Sequence, residues 1–191
     1  MQFTMLKYAV VALATHGSGV LSQLTPANVV TNLNTLTAKS RALQAPAKDI
    51  TLVNGPLILI GQGPFPAIIQ GFTDIVSTTT NAITSMQGMA PVSAGADSDS
   101  IFNAFRDFVR VHQALLNILI GKAGLLNTVP FAGQPIAAVL RQVEAVVDTV
   151  AFTLIDMVQS RAADLTAEAN SLDQSLDTAI KSYQGVTQGA V

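Results

Sequence analysis

The sequence predicts an all-α protein, an antiparallel bundle of about five helices. Three observations carry this. Apolar residues recur with a period near 3.6 in every long segment. The chain is 49% hydrophobic and only 12% charged, with Ser, Thr, Gln, Asn and Ala where helical proteins usually place Lys and Glu. The one run that reads as a strand by itself, Leu57–Ile60, has no evident partner elsewhere and is taken as the start of a helical segment. At 191 residues the chain suits one domain, expected over residues 23–191. No stretch approaches the roughly 18 apolar residues of a membrane helix, because Asp74, Arg106, Asp148 and Asp156 interrupt the apolar segments.

Residues 1–22 read as a secretory signal peptide. Lys7 supplies the positive start, Tyr8–Ala14 the short apolar stretch, and Val20 and Ser22 the small-residue positions before a cut near Ser22–Gln23. The bundle proper begins at Thr25-Pro26, an N-cap followed by proline at the first helical position. Val29, Val30, Leu33, Leu36, Ser40 and Leu43 then form one face. Pro46 disturbs this helix, which is expected to resume through Ile50 and Val53 until Asn54-Gly55-Pro56 ends it. Gly61–Pro66 bends the chain. A second face follows in Ile68, Phe72, Ile75, Val76, Thr79, Ile83 and Met86.

Residues 87–98 read as a loop, with Asp97–Ser100 supplying caps and negative charge at a helix start. The clearest helix carries Ile101, Phe105, Phe108, His112, Leu115 and Leu119 on one stripe. Beyond a loop at residues 127–134, Pro135 to Tyr183 contains no Gly or internal Pro. One helix of that length would reach about 70 Å at 1.5 Å per residue, so a break is expected near Ser160-Arg161-Ala162. No Gly or Pro marks it.

Charge and chemistry exclude more than they assign. The net charge of −2 offers no basic field for nucleic acid. With no cysteine, thiol catalysis and cysteine-based metal sites are ruled out, and a secreted chain must rely on its core. Of the two histidines, His16 falls in the signal segment, and His112 lies mid-helix without a Gly-x-Ser-x-Gly elbow to make a triad. Asp97–Ser100 lacks the central Gly and terminal Glu of a calcium loop. Gly61-Gln62-Gly63 lacks a phosphate-binding Lys, and Asp148 and Asp156 sit two helical turns apart on one helix. No enzyme, cofactor or metal site is therefore expected. What remains is polar residues set among apolar stripes: Thr79, His112 and Gln113. Each either bonds within the protein or holds the polar head of an apolar ligand.

The run Ile101–Lys122, followed by Pro135–Asp148, resembles the fungal hydrophobic surface binding protein family, which includes cell-wall galactomannoproteins. The order of segments matches over residues 25–184, while Gly61–Pro66 is richer in proline than the family pattern. The resemblance implies an all-α bundle with a central apolar cavity for a long-chain fatty acid, in a protein secreted or lodged in the cell wall. Walls would come from Ile75, Thr79, Ile83, Phe105, Phe108, His112, Leu115, Leu119, Val143, Val147 and Val150, with Thr79, His112 or Gln113 at the carboxylate. A second reading shares the same low charge: a surface-active or cell-wall structural protein that adsorbs to hydrophobic surfaces and recruits a secreted hydrolase.

Overall fold

The computed structural model describes residues 24–126, 129 and 132–184. The segment read as a signal peptide, most of residues 127–131 and the final seven residues lie outside them. Six α-helices are present among the described residues: α1 (Pro26–Ala42), α2 (Gln44–Lys48), α3 (Phe65–Met86), α4 (Ala96–Ala123), α5 (Gly133–Met157) and α6 (Ala162–Gln184). Five of them are long, as the periodicity predicts, and the described residues contain no strand.

Local chemistry explains the boundaries. At the start of α1 the Thr25 hydroxyl accepts from the Asn28 amide at 3.4 Å, and the Asn28 side chain accepts from the Thr25 amide at 2.9 Å. Those two bonds satisfy donors that a helix start leaves orphaned. The helix does not resume through Val53. It stops at Lys48, where the Asn54 side chain accepts from the Thr51 amide at 2.8 Å and donates to the Asp49 carbonyl at 2.7 Å. That turn takes over the backbone groups a continuing helix would need. Val53 is left 89% exposed.

Leu57–Ile60 lies in a 3-10 turn, Gly55–Ile60, which Gly61 ends at φ 66 in the left-handed region that glycine tolerates. α4 begins at Ala96, earlier than the sequence suggested, because Ser98 reaches back to Gly95. Its hydroxyl accepts from the Gly95 amide at 3.0 Å and donates to the Gly95 carbonyl at 2.8 Å.

The break near Ser160 is present. α5 ends at Met157, a 3-10 turn covers Gln159–Arg161, and α6 follows. Tertiary contacts fix it. The Val92 amide takes the Met157 carbonyl at 2.8 Å, and Arg161 binds Asp99 at 2.6 Å and Asp164 at 3.1 Å.

The long helices close into a ring in the order α1–α4–α6–α5–α3, each packed on its two neighbours, with α3 returning to α1. Consecutive helices alternate in direction. In space, however, α1, α4 and α6 run parallel. Ser40 meets His112 while Ile50 meets Lys122, and Asp99 meets Arg161 while Leu119 meets Tyr183. The connections from α3 to α4 and from α4 to α5 therefore cross the ends of the ring. With neighbouring axes 8–10 Å apart, the centre of a five-membered ring lies roughly 7–8.5 Å from each axis, farther than in a four-helix bundle.

Candidate functional site at the centre of the ring

α3 and α4 are not neighbours in the ring, so a contact between them crosses its interior. His112 of α4 makes one. Its ring meets Phe72 of α3 edge-on at 6.1 Å and Phe108 at 5.3 Å. On the third side, Nδ1 lies 2.9 Å from the Ser40 hydroxyl of α1. Three inward positions from three helices thus converge on one imidazole. His112 carries no exposed surface, and its Nε2 has no hydrogen-bond partner. Burial alone pushes its pKa down from 6.5 to about 4, so the ring is neutral at physiological pH.

Most of the residues expected as cavity walls are core residues. Ile75, Phe105, Phe108, Leu115, Leu119, Val143, Val147 and Val150 are all buried in the one apolar cluster, and Ile83 is half-buried against it. Thr79 is fully buried and donates to the Ile75 carbonyl one turn back at 2.8 Å. It sits two turns along α3 from Phe72, about 10 Å at 1.5 Å per residue.

Gln113 is not brought to the same place. It faces α6, where its amide donates to the Ser171 carbonyl at 3.0 Å, the Ser171 hydroxyl at 2.9 Å and the Ser175 hydroxyl at 3.1 Å. It ties two helices together outside the ring interior. Of the three polar candidates, His112 alone has a buried polar atom without a partner.

Side chains fill the place where a cavity was expected. Phe72, Ile75, Phe105, Phe108 and Leu115 show no accessible surface. Two clefts open on the outside. One of about 340 Å³ on the α5–α6 seam is lined by Phe152, Ile155 and Asp173, and one of about 520 Å³ between α1 and α4 by Arg41 and Arg110. None of the expected residues lines either.

Ser40 and Phe72 complete the site, and the sequence placed both on inward faces without giving them a part in it. A hydroxyl amid Val29, Leu33, Leu36 and Leu43 was the available signal. Among the described residues no group of three or more His, Asp or Glu could hold a metal, and no helix is long and apolar enough to cross a membrane.

The fold is shared with solved fungal ligand-binding domains. AfMp4p in complex with palmitic acid superposes with a TM-score of 0.72 at 18% identity, over 83% of this chain and 99% of that one. Ligand binding domain 2 of Penicillium marneffei MP1, complexed with multiple arachidonic acids, gives 0.67 at 14%, over 83% and 94%. Domain 1 of the same protein, complexed with arachidonic acids, gives 0.63 at 15%, over 81% and 98%. Neither a protein-family model nor a curated protein matches the sequence.

Proposed function

We propose that this chain is a secreted, non-enzymatic binder of long-chain fatty acids or related lipids, held inside the five-helix ring. It fits the fungal hydrophobic surface binding family that its α4 and α5 sequences resemble. One observation carries the proposal: among apolar side chains and hydroxyls bonded to their own helices, the fully buried His112 keeps its Nε2 without a partner. An orphaned buried polar group costs about 1–3 kcal/mol, and a ligand head would satisfy it. Likeness to domains solved with palmitic and arachidonic acids supports the same reading.

Binding requires the packed interior to give way. Each methylene removed from water contributes about 0.8 kcal/mol, so an acyl chain of ten carbons brings on the order of 8 kcal/mol toward parting the side chains. The test is mass spectrometry of lipid extracted from secreted protein purified without detergent, beside titration with palmitic acid. Expected are a co-purifying fatty acid and saturable binding, with an N-terminus near Gln23. Absence of both lipid and saturable binding refutes the proposal.

A specific patch favours a second reading, adsorption to hydrophobic surfaces. Leu52, Val53, Leu59 and Ile60 are each more than 60% exposed and lie within nine residues of one another in sequence, just beyond the last turn of α2. Leu59→Asp with Ile60→Asp should then abolish adsorption to an apolar solid while leaving fatty-acid binding intact.

A further inference from the structure

We infer that the ring interior selects a ligand whose head donates a hydrogen bond, a neutral carboxylic acid or a long-chain alcohol, and disfavours a carboxylate, because the group waiting at its centre is a bare acceptor nitrogen. The inference rests on the ring interior being the ligand site.

The geometry that assigns the proton is local. The Ser40 hydroxyl lies 2.9 Å from the Leu36 carbonyl and 2.9 Å from His112 Nδ1. It owns one hydrogen and cannot donate to both. If Nδ1–H donates to Ser40 and Ser40 donates to Leu36, each link polarises the next and both contacts are made. In the opposite arrangement Ser40 spends its hydrogen on Nδ1, its contact with Leu36 is lost, and a buried N–H is stranded on Nε2. Stranded donors are rarer in folded proteins than under-used acceptors. The first arrangement therefore holds, and Nε2 carries a lone pair.

A carboxylate has only acceptors. Placed against Nε2 it would set lone pair against lone pair in an apolar interior, with no cation to offset its charge. The groups that face the imidazole are Ser40 from α1, Phe72 from α3 and Phe108 from α4, none of them charged. Arg41 on α1, Lys48 on α2, Asp74 on α3, Arg110 on α4, Arg141 on α5 and Asp173 on α6 are exposed, while Lys39 on α1, Arg106 and Lys122 on α4, and Glu144 and Asp148 on α5 are half-buried, and Asp177 ion-pairs with Lys181. No nearby charge shifts His112 in either direction.

An acid must therefore bring its proton with it, as acid against neutral imidazole or equivalently as carboxylate against imidazolium. The bound state holds one proton more than free protein plus free carboxylate. Above the ordinary carboxyl pKa of about 4.3, apparent affinity for an acid falls about tenfold per pH unit by linkage. An alcohol of the same length carries its own hydrogen, and its affinity does not move with pH.

The test titrates the full-length secreted protein with dodecanoic acid and with 1-dodecanol at several pH values from about 5 to 8. The expected result is an acid affinity that falls about a hundredfold or more across the range and an alcohol affinity that stays within about twofold. Acid affinity that is flat with pH overturns the inference while leaving lipid binding intact. Failure of the alcohol alone to bind overturns the inference, and failure of both probes at every pH overturns the fatty-acid reading as well. Two variants locate the effect. His112→Leu removes the acceptor, so the affinities of the neutral acid (at pH about 5) and of the alcohol both drop about tenfold. Ser40→Ala frees the tautomer, so the slope weakens without a loss of alcohol binding of that size. Acid and alcohol affinities both unchanged in His112→Leu also overturn the assignment.

Discussion

A buried neutral histidine makes folding stability depend on pH in a direction that can be worked out. In the folded protein His112 takes a proton only near pH 4, whereas in the unfolded chain it does so near 6.5. Between those values the unfolded state binds more protons, so stability rises with pH there. Its effect is absent above about 6.5, grows as pH falls toward 4, and levels off below. At roughly 1.4 kcal/mol per pH unit, the gap amounts to about 3 kcal/mol, on the order of 6–12 °C in Tm for a chain of this size. Glu144 and Asp148 work the other way: burial first, and Asp173 second, raise their carboxyl pKa values, so they gain protons in the folded state more readily. Comparing the protein with His112→Leu cancels those groups. Urea denaturation of both, without lipid, at pH about 7.5 and about 4.5 should show the unmodified protein losing about 2–3 kcal/mol more than the variant. Parallel losses in the two proteins would mean that His112 is not a buried neutral group, and the account of the site would fail.

Two packing features give further checks. Gly71 on α3 faces Leu43 so closely that a Cβ would collide with the leucine side chain, so Gly71→Ala should cost about 1–3 kcal/mol in urea denaturation and Leu43→Ala in the same chain should recover part of it; an unchanged midpoint would contradict the seam between α1 and α3. The buried Tyr183 hydroxyl donates to the Leu119 carbonyl at 2.9 Å, so Tyr183→Phe should lower stability by about 0.5–1.5 kcal/mol, and a variant as stable as the parent would show that this tie between α4 and α6 contributes nothing.

Much of this molecule is legible in its sequence because its helices are long and amphipathic. The stripe Ile101, Phe105, Phe108, His112, Leu115, Leu119 is buried throughout. The break before α6 was expected from length alone, since the contacts that fix it, Val92 to Met157 and Arg161 to Asp99, join residues more than sixty apart. The end of α2 was misplaced because Ile50 is buried and continues the apolar pattern, while the Asn54 turn that stops the helix leaves no periodic mark. Of the polar candidates, spacing put His112 and Gln113 side by side. It could not reveal that adjacent positions on a helix, about 100° apart, face the ring centre and α6 respectively. Ser40, the partner that sets the proton on His112, lies 72 residues away, beyond the reach of any local pattern.

The ring order bears on how the chain folds. A simple up-and-down bundle pairs each helix with the next, so its contacts are close in sequence and form early. Here α1 packs on α4 and α4 on α6, and the bonds that join them span 72 and 58 residues. Contacts at such separation cost more loop-closure entropy and slow folding relative to helical proteins of local topology. The hairpin of α5 and α6 has no such barrier, so it should assemble first and wait for α1 and α4 to seal the ring. Until they do, the stripe that carries Phe105, Phe108 and His112 is open to water, and a lipid present during that interval could be enclosed as the last helix closes.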